Sequence, residues 1–450
     1  MLRRLPRIIW PIAVLAMMLG AGAIVRIDSV RPAQAHTTGA DRGHAATATP
    51  VLARISTART PNHSGHWLAA WTAAPQGPVS ANLSRSGFDD QTIRQVAFSS
   101  AGGAGVRVRL TNTFGSRPLH VGRASVAIQG AGARLAAGSL RALTFAGRPS
   151  VLIRPGGEVL SDPVRLTVRP LDHVAISLFL PVATGPATEH LQARQVNYVA
   201  TGDRALAAGP QGFRRQTQSW YFIAGVDVLA PARYVGAVVT LGDSITDGVG
   251  SPLNANDRWP NDLARRLAAL AGRTLTVADA GIGGNRVLND SSCCGVSAAA
   301  RFGRDVAGQS GVRDVILLEG INDIGFSQSH NPGNLPHTNV SALQIVDGYE
   351  HIIAMAHAAG LRTFGATLTP FKGARYWTAA GEAKREAVNR WITTSGAFDG
   401  VINFARAVAD PGHPEQLNPA YDCGDHLHPN AAGYRAMANA IPLAMLLGGR

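Results

Sequence analysis

Val235-Gly236-Ala237-Val238-Val239-Thr240-Leu241 runs directly into Gly242-Asp243-Ser244-Ile245-Thr246-Asp247-Gly248. The first seven residues are a short, nearly continuous apolar run, as expected of a strand covered on both faces of a parallel sheet. The next seven are small and polar, so the chain turns there. A serine at that transition can present its hydroxyl above the sheet edge, although a plain turn serine has the same local look. Downstream, helical and strand patterns alternate. A helix is expected over about 261–271, a strand over 274–277, a helix over 298–306 and a strand over 315–318. A long helix follows over 341–359, then a strand over 362–368, a helix over 379–394, a strand over 401–404, and a last helix that starts after Pro429 and runs to about Leu447. Such alternation makes a parallel sheet with helices on both faces. Ligands then gather at the carboxyl ends of the strands.

Upstream of about Tyr234 the texture differs. Val106, Val108 and Leu110 alternate with Arg107, Arg109 and Thr111; Val164, Leu166 and Val168 alternate with Arg165, Thr167 and Arg169; Val174, Ile176 and Leu178 repeat the pattern. Asn, Gly and Pro clusters punctuate these runs. Period-two alternation with frequent turns predicts an all-β sandwich over about 64–232, ahead of an α/β domain over 233–450. Residues 36–63 are rich in Ala, Thr, His and Gly without periodicity and read as a flexible linker.

The first 35 residues carry Arg3, Arg4 and Arg7, an apolar stretch from Ile8 to Val25, and small-residue sites at Ala21-Gly22-Ala23 and Ala33-Gln34-Ala35. This is the pattern of a secretory signal peptide, with an uncleaved membrane anchor as the alternative. Membrane contact is expected only if the segment stays uncleaved. The 450 residues are 46% hydrophobic and 16% charged, which is globular rather than disordered. The net charge of +13 is almost wholly arginine, with Lys372 and Lys384 the only lysines, and the arginines are scattered. Scattered charge argues against a nucleic-acid partner. Three cysteines, Cys293, Cys294 and Cys423, match no zinc spacing. Because neighbouring cysteines rarely bond each other, a disulfide from Cys423 to Cys293 or Cys294 is expected, tying two loops together.

Four loops hold chemistry. After the Ser244 turn comes Asp279-Ala280-Gly281-Ile282-Gly283-Gly284-Asn285-Arg286, whose glycines expose backbone N–H donors. Taken alone it reads as a turn, and it lacks the context of a dinucleotide loop. Next, Glu319-Gly320-Ile321-Asn322-Asp323 places an amide side chain after a strand; Asn322 is either an oxyanion donor or a turn cap. Last, Asp422-Cys423-Gly424-Asp425-His426-Leu427-His428-Pro429-Asn430 precedes the final helix. The three-residue spacing lets Asp425 reach the His428 ring, fixing its tautomer; Asp422 and His426 are competing members. Asp243, Asp247, Arg286 and Asp323 are expected to brace these loops. Phe371, Tyr376 and Trp377 either line an acyl or sugar site or pack in the core. Together the loops supply a nucleophile, oxyanion donors and an oriented base, the inventory of acyl transfer.

In these four blocks, in this order, the stretch from Val235 to Leu447 resembles the SGNH hydrolases, also called GDSL esterases and lipases. Gly242-Asp243-Ser244-Ile245 is similar to the first block, with Ile where Leu is usual. Gly281 to Asn285, Gly320 to Asp323 and Asp425 to Pro429 are similar to the other three. The resemblance implies a three-layer, flavodoxin-like α/β fold with Ser244 as nucleophile and Asp425 and His428 as its partners. It also implies an oxyanion hole from Ser244, Gly284 and Asn322, and no cofactor or metal. The upstream region with Trp67-Leu68-Ala69-Ala70-Trp71 resembles a secreted bacterial two-domain branch. The expected partner is a small-molecule or polysaccharide ester. Without an evident amphipathic lid, sugar esters are favoured over the alternative, a lipase or lysophospholipase. A catalytically silent carbohydrate-binding or adhesion protein is the reading from another class.

Overall fold

The computed structural model describes residues 65–79 and 83–448. The expected signal peptide or anchor and the linker lie outside the described residues. Among those described, no helix is long and apolar enough to cross a membrane.

Five strands form an all-parallel sheet in the order Thr274–Gly281, Tyr234–Gly242, Val312–Leu318, Arg362–Ala366, Gly400–Ile402. Numbered along the chain, that order is 2-1-3-4-5, in which connections leave the first strand toward opposite sides. The switch point therefore lies at the carboxyl end of Tyr234–Gly242, where Ser244 follows. That strand is the apolar run noted above, and Val238, Val239 and Leu241 are wholly buried. The helices Trp259–Ala268, Ala342–Ala358, Ala379–Thr394 and Ala431–Asn439 contribute buried apolar residues to the same core, among them Leu263, Ile352, Val388 and Met437. Ser341 and Gln344 form a reciprocal cap at the start of the longest helix.

Two expected helices are interrupted. The last is split into Ala431–Asn439 and Leu443–Leu447, because Pro442 has no N–H to donate and its ring clashes with the preceding turn. The helix expected over 298–306 is α-helical over Ala298–Phe302 and continues as a π-type turn over Gly303–Ala307.

The N-terminal part is sheet-rich. One antiparallel sheet joins Gly65–Thr72, Ile223–Pro231, Gly103–Thr111 and Glu158–Leu160, with Val164–Val168 also on Gly103–Thr111. Another joins Phe213–Thr217, Asn197–Thr201, Gln91–Phe98, His173–Leu180, Arg123–Ile128 and Arg141–Leu143. Val106, Val108 and Leu110 of the first share one buried cluster with Ile93, Val174, Ile176 and Leu178 of the second. Ala175 and Ser177, on the opposite face, are buried too. Ala175 packs with Ala127 and Leu135, and Ser177 lies under Arg94, itself buried, which donates to Ser177 Oγ and to the Ala133 and Ala207 carbonyls. Arg258, Arg286, Arg301 and Arg385 are buried as well.

Asn62–Arg450 forms one compact unit. The two regions meet at Thr274–Gly281, the edge of the parallel sheet. An edge strand leaves backbone groups unpaired. Here the Val277 N–H donates to Ser100 Oγ (2.9 Å) and the Asp279 carbonyl accepts from Thr72 Oγ1 (2.6 Å). Thr276 Oγ1 in turn donates to the Ala69 carbonyl (2.6 Å).

Candidate active site

Ser244 opens a four-residue helical turn, Ser244–Asp247, directly after the first sheet strand. Asp243 caps the turn by accepting from the Ile245 N–H at 2.9 Å. Gly242 at the strand end is required by crowding, since a Cβ there would lie 2.5 Å from the Leu318 carbonyl. Ser244 keeps 6% of its surface exposed.

The segment carrying His428 is a tight loop stitched by its own carboxylates. Asp422 Oδ1 accepts from Gly424 N and His426 N, and Asp425 Oδ1 accepts from Leu427 N and His428 N. Asn430 then caps the Ala431–Asn439 helix through Ala432 N and Gly433 N, and the Tyr434 hydroxyl donates to the Val249 carbonyl beyond the Ser244 turn. Thus anchored, the His428 ring stands between two partners. Nδ1 lies 2.6 Å from Asp425 Oδ2, and Nε2 lies 2.8 Å from Ser244 Oγ. A carboxylate only accepts, so Nδ1 carries a proton and Nε2 is free to accept from the serine hydroxyl. Burial alone would raise the Asp425 carboxyl. The His428 hydrogen bond and charge, with the two N–H donors, hold it well below the usual carboxylate range. The competing pair, Asp422 and His426, makes its own 2.8 Å contact, and the His426 side chain is exposed and packs toward Gly373 instead.

The expected oxyanion donors are two backbone N–H groups and one side-chain amide. The Ser244 N–H is the first of its helical turn and has no intrahelical acceptor. Gly284 sits at φ +75°, and a Cβ there would lie 2.5 Å from Cys294 Sγ. Both facts restrict the position to glycine. The Asn322 amide is oriented from both ends: Nδ2 donates to the Asn285 carbonyl at 3.0 Å, and Oδ1 accepts from the Tyr376 hydroxyl at 3.3 Å. One amide hydrogen remains for a further acceptor. The structure therefore brings Ser244, Asp425 and His428 into one chain of hydrogen bonds, with Gly284 and Asn322 on the flanking loops.

The bracing residues act through the backbone. Asp323 accepts from Val287 N and Leu288 N. Arg286 reaches the Pro336 and Asp290 carbonyls. Arg301 donates to Asn285 Oδ1, to the Ala280 carbonyl and to the Gly242 carbonyl. Burial pushes the Asp323 carboxyl up to about 6 and Asp243 upward as well. Phe371 is core, Trp377 packs against the core, and Tyr376 is the residue of the three that touches the site.

The expected disulfide is corrected. Cys293 and Cys294 are bonded to each other, and Cys423 is free and exposed. The two loops lie against different neighbours: Cys293 Sγ faces Asn334 and Cys294 packs on Gly284, whereas Cys423 packs on Gly250. Cys423, Asp425 and His428 also offer one ligand atom each within 4.8 Å of one another, the one such grouping among the described residues. A metal there would compete with the 2.6 Å Asp425–His428 bond.

Residues 240–436 match the model of the family described as GDSL-like Lipase/Acylhydrolase. The α/β region is a GDSL-like acylhydrolase domain, an SGNH-type esterase. No curated protein matches the chain in sequence. Among solved structures, a GDSL-like lipase from Bacteroides thetaiotaomicron is 18% identical over 48% of this chain and 91% of its own, with a TM-score of 0.36. An aryl esterase from M. smegmatis is 16% identical over 47% of this chain and 98% of its own, at 0.37. An acetyl xylan esterase is 19% identical over 45% and 96%, at 0.35.

The acylhydrolase domain also has a buried neighbour that sequence reading missed. His190, from the sheet-rich region, places Nε2 3.0 Å from Asp247 Oδ1, and both side chains are buried. A histidine 57 residues upstream, in no motif, gives no signal in the sequence. The bracing aspartate was visible, its partner was not.

Proposed function

We propose that this chain is an exported, serine-dependent carboxylic ester hydrolase that works through an acyl-enzyme and removes small acyl groups from sugars or polysaccharides. The observation that carries the reaction is the His428 ring spanning Ser244 Oγ and Asp425 Oδ2 at 2.8 and 2.6 Å. In this reading His428 Nε2 takes the Ser244 proton as Oγ attacks the ester carbonyl, and Asp425 stabilises the imidazolium. The oxyanion is held by the N–H groups of Ser244 and Gly284 and the free hydrogen of the Asn322 amide. His428 then gives its proton to the departing alcohol. Water, deprotonated by His428, attacks the acyl carbon and releases Ser244.

Export rests on the basic, apolar and small-residue pattern of residues 1–35. The sugar-ester preference rests on the lack of an amphipathic lid pattern in the sequence. We read residues 64–232 as a β-sandwich accessory domain and 233–450 as the catalytic domain. Mass spectrometry of protein quenched during turnover of acetylated xylan tests the reading, with a phospholipid as the second substrate. An acetyl group on Ser244 and free acetate are expected. Turnover of the phospholipid alone would move the substrate to lipids. Acetate release with no acyl group ever trapped on Ser244, even when deacylation is slowed, would contradict the mechanism.

A further inference from the structure

We propose that His190, contributed by the sheet-rich region, is a positioning residue of the esterase: it holds Asp247 and, through it, the Gly283–Gly284 turn that aims a backbone N–H at the oxyanion. The inference rests on the acyl-enzyme reading above.

The link is a continuous run of hydrogen bonds. His190 Nδ1 lies 3.0 Å from the Ala74 carbonyl and Nε2 lies 3.0 Å from Asp247 Oδ1. Asp247 Oδ2 accepts from the Gly283 N–H at 3.1 Å. Asp247 is the last residue of the Ser244 turn, and Gly283 precedes Gly284. One carboxylate thus ties the nucleophile turn to the oxyanion turn, and His190 fixes that carboxylate from the other region. Packing leaves little slack, since a Cβ on Gly281 would lie 2.3 Å from the Asp247 N. Gln192, two residues after His190, lies over Gly283 as well.

The protonation state follows from the partners. A carbonyl only accepts, so Nδ1 carries hydrogen; an ionised carboxylate only accepts, so Nε2 does too. His190 is therefore an imidazolium paired with Asp247. Other charged groups face it. The Arg258 guanidinium opposes the charge while donating to the Asp247 and Ala193 carbonyls. Asp279 lies 3.9 Å from Arg258, and Glu189 adjoins His190 in the chain. Burial would lower the His190 pKa, but the Asp247 charge and bond outweigh it, so the group sits above its ordinary value. A group raised on folding contributes fully below its unfolded pKa and loses that contribution as pH rises through the folded one. The contribution of the pair is therefore lost as pH rises through a folded His190 pKa that lies above the ordinary histidine value.

The test is kcat and KM across pH for the full chain, His190→Ala and His190→Gln, with fluorophosphonate labelling of Ser244 in each. In His190→Ala, kcat should fall roughly a hundredfold, as for a misplacement of about an ångström at a reacting centre. KM should stay within about twofold, because a contact made in the transition state is lost. His190→Gln keeps an amide donor toward Asp247 and should recover at least about tenfold of that loss. It should also lack the parent's alkaline decline, a difference that a merely structural role would not produce. Parent-like kcat in His190→Ala, or the same alkaline decline in His190→Gln, would overturn the clamp. A parent whose Ser244 does not label would overturn the acyl-enzyme reading and the clamp with it.

Discussion

Replacing Asn322 by alanine removes the amide that Asn285 and Tyr376 hold in place. Loss of one oxyanion donor should cut kcat by roughly a hundred- to a thousandfold with little change in KM. Steady-state kinetics on a soluble acetyl ester checks this; an unchanged kcat would remove Asn322 from the oxyanion hole. Asp323 has a different signature. Burial pushes its carboxyl up to about 6 from an ordinary 3.8, against hydrogen bonds from Val287 and Leu288. The folded protein then keeps a proton the unfolded chain has lost, so this residue's contribution to stability declines as pH rises from 3.8 to about 6. Asp323→Asn has no proton to lose. Urea unfolding should show it gaining on the parent across that window, and a pH-independent difference would contradict the assignment. At this scale the sequence was most readable where residues cluster. Ser244, Asn322 and the Asp425–His428 pair each sit in a short polar block at a strand or helix end. His190 sits in none, because its role comes from a contact across 57 residues.

Elements place these residues by crowding as much as by bonding. The end of Thr274–Gly281 passes so close to the Ser244 turn that Gly281→Ala would push a methyl into the Asp247 backbone. The expected cost is roughly 1–3 kcal/mol, typical of overpacking, with loss of esterase activity exceeding the loss of stability. Thermal melts beside kinetics separate the two; a variant with parent-like activity would show that the strand and turn have room to move. The cysteine loop gives a second element-scale prediction. Thiol titration of the denatured, unreduced protein should find one free thiol, Cys423, of the three cysteines. Three would exclude the Cys293–Cys294 bond. Strand and helix periodicities were legible because burial imposes them: Val106, Val108 and Leu110 are fully buried between partly exposed arginines. The break at Pro442 was equally available from the sequence, since a proline cannot continue an apolar helix. The disulfide was not, because spacing says nothing about which way two loops face.

At the scale of the whole molecule, the sheet-rich region is part of the catalytic architecture. It covers the open edge of the parallel sheet through Ser100, Thr72 and Ala69, and it supplies His190. A chain reduced to residues 233–450 would expose that edge and take from Asp247 its His190 partner. Such a truncation should express as aggregated or inactive protein. Soluble, fully active 233–450 would show that the two regions work independently. The sequence marked two textures with a change near Tyr234, where the first strand of the parallel sheet begins. It could not show that the regions form one compact unit, because the contacts between them, such as His190 to Asp247 and the Ala69 N–H to the Ser310 carbonyl, join residues far apart in the chain.

The most direct test of the central claim is hydrolysis of p-nitrophenyl esters of increasing acyl length by the full chain, beside Ser244→Ala. The account predicts turnover fastest on the short acyl chains and lost in the variant to the residual level set by the oxyanion donors alone. Turnover that survives unchanged in Ser244→Ala would contradict it.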